Sequence, residues 1–96
     1  MAGARLPVPH PQVLFTEIDD GSGVLLHLDT KFYFTLNPTG VVVWRALSEA
    51  NGADIAAIAD RLVAEFRVTP DVAQRDVAAV LQQLLADGLV ALVAPT

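Results

Sequence analysis

The side chains best suited to acid–base or metal chemistry in this 96-residue chain are His10, His27 and the pair Asp19-Asp20. None of them forms a constellation. His10 lies among prolines and His27 in an apolar, strand-like run, with no cysteine anywhere to complete a metal set and no second histidine close by in sequence. Asp19-Asp20 is followed by Gly21-Ser22-Gly23, which is turn chemistry. Ser22 and Ser48 occupy turn and helix-end positions, where serine bonds to backbone. Gly21, Gly23 and Gly40 lack the strand–loop–helix spacing of phosphate-binding loops. The residues predict no enzyme, no cofactor and no metal site.

Composition narrows the remaining classes. Apolar residues make up 53 % of the chain and charged ones 18 %, which predicts one globular domain rather than a disordered segment. The absence of cysteine removes disulfides and thiolate chemistry. The N-terminus has no continuous apolar core of a signal peptide, and no run approaches the roughly 20 apolar residues of a membrane helix, so the expected location is cytoplasmic. A net charge of −5 and six scattered basic residues argue against phosphate backbones and acidic membrane surfaces. Three helices with short strands also describe a DNA-binding winged helix, but the third helical segment carries one basic residue, Arg75, against Asp71, Asp76 and Asp87.

The elements follow from period and punctuation. Residues 1–12 contain Pro7, Pro9 and Pro11 and are expected to form a flexible tail, with the domain spanning 13–93. Val13–Ile18, Val24–Asp29 and Phe32–Leu36 read as three strands joined by short turns, an antiparallel meander. Asn37-Pro38 is a helix start, a side-chain acceptor followed by a residue with no N–H to leave unpaired. The helix from Pro38 to Ser48 is apolar almost all round and should be central. A second helix, capped by Asp54, carries Ile55, Ile58, Ala59, Leu62, Val63 and Phe66 at helical spacing. The third opens at Thr69-Pro70, carries Val77, Val80, Leu81, Leu84 and Leu85, and stops at Gly88. Leu89–Val93 is short and β-prone. Strands followed by helices specify an α+β domain with the helices on one face of the sheet.

Phe32-Tyr33-Phe34-Thr35-Leu36 concentrates three aromatic side chains in a strand that is a sheet edge in the simplest ordering. Alternation sends Phe32, Phe34 and Leu36 toward the helices and Tyr33 and Thr35 outward. An unpaired edge is a template for another chain. The expected activity is therefore binding: an extended peptide adds to this edge, its side chains entering a groove toward the third helix. A second copy of the chain is the other candidate for an edge left bare.

The order Gly-Val-Leu-Leu at 23–26, Phe-Tyr-Phe-Thr-Leu-Asn-Pro-Thr-Gly at 32–40, Val-Trp at 43–44, Asp-Ile-Ala-Ala-Ile-Ala-Asp-Arg-Leu at 54–62, Phe-Arg-Val at 66–68 and the closure Leu85, Gly88, Leu89-Val90 resembles the PqqD-like proteins. These are the recognition elements for precursors of ribosomally made, post-translationally modified peptides. The resemblance covers residues 13–93 and implies a winged-helix-like domain, a three-stranded antiparallel N-terminal sheet followed by three helices. It implies that the leader segment of a precursor adds beside Phe32, Tyr33, Phe34, Thr35 and Leu36, facing a wall of Asp76, Val77, Val80, Leu81 and Leu84 on the third helix. Among its branches, the chain looks most like the discrete leader-binding proteins of lasso-peptide biosynthesis, which hand the precursor to a leader peptidase. The peptide chaperone of pyrroloquinoline quinone assembly, which serves a radical enzyme, is the second reading. Lys31 departs from the family's Thr-Gly-x-Tyr turn, where glycine is usual; it stands as a turn lysine or as a contact for an acidic leader residue.

Overall fold

The computed structural model describes residues 8–49 and 55–91. Five strands and three helices run in the order β1 (Val8–Pro9), β2 (Val13–Glu17), β3 (Gly23–His27), β4 (Tyr33–Leu36), α1 (Pro38–Glu49), α2 (Ile55–Phe66), α3 (Pro70–Ala86) and β5 (Val90–Ala91). The main sheet is the expected antiparallel meander, ordered β2-β3-β4. Of the expected tail, residues 1–7 lie outside the described residues, but the next ones are part of the fold. Val8 and Pro9 pair antiparallel with Ala91 and Val90, and the His10 N–H donates to the Leu89 carbonyl at 3.0 Å. Prolines hid this strand, because a short edge segment needs few donors and tolerates them. The domain boundary drawn at Val13 thus falls inside folded chain. The Asp54 cap and Leu92-Val93 lie outside the described residues.

Each turn has a local cause. At the β2–β3 turn the Asp20 carboxylate accepts from the Ser22 hydroxyl at 2.5 Å and from its N–H at 2.9 Å. These two bonds, the hydroxyl's first, hold the exposed Asp20 carboxyl below its ordinary range. Asn37 accepts the Gly40 N–H on its side-chain oxygen at 2.8 Å, so α1 starts where the Asn-Pro pair predicts. Thr69 caps α3 in the same way, accepting from Val72 N–H. The far end of α3 closes through Gly88 at φ +72°, with Leu89 N–H bonded to the Leu84 carbonyl. Arg67, just past α2, takes φ +56° without being glycine.

The core lies between the inner face of the sheet and the helices. Leu25 from β3, Val42, Val43, Trp44 and Leu47 from α1, Ile58 and Leu62 from α2, and Val77, Leu81 and Leu84 from α3 are buried together. α1 is central, packing on α2, α3, β1 and β4; its one charged residue inside the helix body, Arg45, reaches out to pair with Glu17. The tightest point is Gly23, where an added Cβ would stand 2.5 Å from Phe15 Cε1 and 3.2 Å from Val41 Cγ2. Gly23→Ala is therefore expected to lower unfolding free energy by about 1–3 kcal/mol through overpacking, a loss that urea denaturation will measure.

Candidate functional site

The three-stranded sheet leaves two bare edges among the described residues, on β2 and on β4, and the aromatic strand is the β4 one. Its hydrogen-bond parity follows from one contact: the His27 N–H donates to the Phe32 carbonyl at 3.0 Å. Residues opposite each other in an antiparallel pair alternate between exchanging both bonds and exchanging none. With Leu25 opposite Phe34 and Gly23 opposite Leu36, those are the bonded pairs. Tyr33 and Thr35 consequently aim their N–H and C=O groups away from β3, at the bare edge, and no described segment pairs with them. On the other side of β3, Leu28 N–H bonds to the Gln12 carbonyl, which puts the even residues of β3 toward β2 and confirms the alternation.

The side chains alternate as well. Phe34 and Leu36 turn inward and pack, half-buried, on the core. Tyr33 is 72 % exposed on the outer face, in a cross-sheet row with Leu26 and Leu14. Phe32 departs from expectation: β4 begins after it, and it is 66 % exposed rather than core. At that end the inner face is closed by His10 against His27, ring centroids 4.7 Å apart, and nothing comparable covers Phe32.

Helix α3 divides the expected wall in two. Val77, Leu81 and Leu84 are buried, part of the core itself. Asp76 and Val80, on the neighbouring rows of the helix, are half-buried. The main neighbours of β4 are β3 and α1, and those of α3 are α2, α1 and β5. The strand and α3 are thus joined chiefly through the shared core, to which Phe34, Leu36 and Val80 all contribute. The accessible candidate surface reduces to the Tyr33 and Thr35 backbone, the exposed Phe32, and the half-buried Phe34, Leu36, Asp76 and Val80.

Three residues take places that the sequence alone does not reveal. His10 and His27, far apart in the chain, meet in space and bring Asp29 with them, their ligand atoms within 4.8 Å of one another. The hydrogen bonds argue against a metal site. His10 Nδ1 accepts from Gln12 N–H at 3.0 Å and His27 Nδ1 from Asp29 N–H at 3.2 Å. A neutral imidazole that accepts at Nδ1 carries its proton on Nε2, the very atom a cation would then need. The pair is a clasp between the segment after β1 and the end of β3, and His27 is a buried, hydrogen-bonded strand residue. The other residue is Lys31. It sits at φ +67°, its N–H bonded to the His27 carbonyl at 2.7 Å, in a left-handed conformation that costs a residue with a Cβ about 1–2 kcal/mol. The turn keeps the geometry that suits glycine, and lysine bears the strain.

The fold as a whole has known relatives. The family model described as coenzyme PQQ synthesis protein D (PqqD) matches residues 22–90, from the β2–β3 turn through the start of β5. A solved structure described as TbiB1 in complex with the TbiA(beta) leader peptide is 32 % identical, with 92 % of this chain and 99 % of that one covered and a TM-score of 0.78. Another, described as lasso peptide synthetase B1 complexed with the leader peptide, is 28 % identical, covering 90 % of this chain and 98 % of that one at a TM-score of 0.77. The comparison with curated protein sequences gave no match. With the family model running through β3, the bare-edged β4, all three helices and the closure after Gly88, the chain belongs to the PqqD family.

Proposed function

We propose that this protein binds the leader segment of a ribosomally made precursor peptide, which adds antiparallel or parallel to β4 as a fourth strand, and that it brings the precursor to a processing enzyme without itself catalysing a reaction. The observation that carries the reading is the bare edge at Tyr33 and Thr35 in a fold that matches two leader-peptide complexes over nearly its whole length. Backbone bonds to Tyr33 and Thr35 supply affinity independent of sequence, and peptide side chains directed inward supply selectivity where they meet Phe34, Leu36, Val80 and Asp76. The partner enzyme favoured is a lasso-peptide leader peptidase, because one of the two solved relatives is described as lasso peptide synthetase B1 with the leader peptide bound. The second reading, a peptide chaperone for a radical enzyme of quinone-cofactor assembly, rests on the family model's description. A cytoplasmic site of action fits a partner made on ribosomes.

Fluorescence polarisation with the labelled leader of a precursor encoded beside this chain tests the proposal. Saturable binding with Kd below about 10 μM, roughly −7 kcal/mol, is expected. A folded protein that shows no binding in that range overturns it. Leader cleavage assayed with each candidate enzyme, with and without this protein, separates the two partner readings.

A further inference from the structure

We infer that Lys31 is a specificity residue of the peptide edge: its ammonium reads a carboxylate on the bound peptide where the peptide passes the start of β4. The inference rests on the proposed leader binding and adds a chemical requirement to it. Lys31 is the one basic residue in the described sheet and its turns. Of the other described cations, Arg45 is paired with Glu17 and Arg61 with Glu49, while Arg67 and Arg75 belong to the helical layer. Lys31 is exposed and has no carboxylate within ion-pair distance among the described residues; Asp29, two residues earlier, is exposed and points its backbone N–H at His27.

Position makes that free charge informative. Phe32 alone separates Lys31 from Tyr33, the first residue whose backbone groups face the open edge. Lys31 lies in the turn that leads into β4, so a peptide added along that edge passes close to it at the end where the strand begins. The turn asks for a left-handed residue, for which glycine is free of strain, yet a lysine occupies it at φ +67°. A strained residue beside a binding edge is a reason to look for a role in binding. On a chain of net charge −5, the general field repels an acidic peptide, and a single cation at the mouth of the edge lets one defined position overcome that repulsion.

The test uses the full chain and the labelled leader in two series, one with a single Glu and one with a single Lys at each position along the segment. With the natural protein, one position is expected to favour Glu over Lys by about three- to tenfold at low salt, a preference that fades as salt rises. Lys31→Glu should reverse the preference at that position. Lys31→Asn, which keeps a residue tolerant of the left-handed turn, should level it to within about twofold. Equal Glu/Lys ratios for the natural protein and Lys31→Asn at every position would overturn the inference. A failure of the unmodified leader to bind the natural protein would instead overturn the leader-binding reading itself.

Discussion

Thr35→Pro is expected to weaken leader binding by at least about thirtyfold while leaving the protein folded. Because the Thr35 N–H points away from β3, the substitution removes no bond of the existing ladder, and proline is accommodated in edge strands when its missing donor faces outward. The cost to stability should stay near 1 kcal/mol, the span of strand preference. The peptide, in contrast, loses a backbone donor worth about 0.5–1.5 kcal/mol net and meets a ring where its own carbonyl must approach. Phe34→Pro, one residue earlier, is the control of opposite sign. Its N–H belongs to the pair with Leu25, so the change removes a ladder bond and should lower the melting temperature clearly more than Thr35→Pro does. Circular dichroism with polarisation on both variants decides the matter. If Thr35→Pro binds the leader like the natural protein, the peptide does not use this edge.

The second large effect divides α3 between core and groove. Leu81→Ala empties a buried site and should cost about 2–4 kcal/mol, a large share of the roughly 5–14 kcal/mol a domain of this length possesses. A fall in melting temperature of about 10–20 °C follows. Measured at low temperature, where the variant is still folded, its leader affinity should lie within about threefold of the natural protein. Val80→Ala, at a half-buried position, should show the converse: about 1 kcal/mol or less of stability and a clear loss of affinity. An affinity loss confined to Leu81→Ala would mean that the groove runs along the other row of the helix.

Much of this architecture is legible in the residues. Asn37-Pro38 and Thr69-Pro70 announce their helices through side-chain caps that the structure displays, and Gly88 ends α3 as expected. The three strands and their order follow from turn residues between apolar runs. What the sequence conceals is non-local. Val8-Pro9 becomes a strand only because Val90-Ala91 comes back to meet it, and no local preference records that. The division of α3 is hidden for a similar reason: Val77, Val80, Leu81 and Leu84 are all apolar, and which of them faces the core depends on where α1 and α2 lie. Phe32 looked like core because alternation continues past the end of the strand, whereas helix cover does not. His10 and His27 pair across segments whose separation in sequence gives no hint of contact.

The pairing of β1 with β5 also has an architectural consequence. It brings residues near the two ends of the described chain side by side, Val8 against Ala91, in a sheet separate from the one that carries β4. A unit whose entry and exit points adjoin is hung from its surroundings by a single hinge of chain, and units of that kind are readily spliced into or appended to larger proteins. The same fold is thereby suited both to standing alone and to being carried as a module of a larger protein.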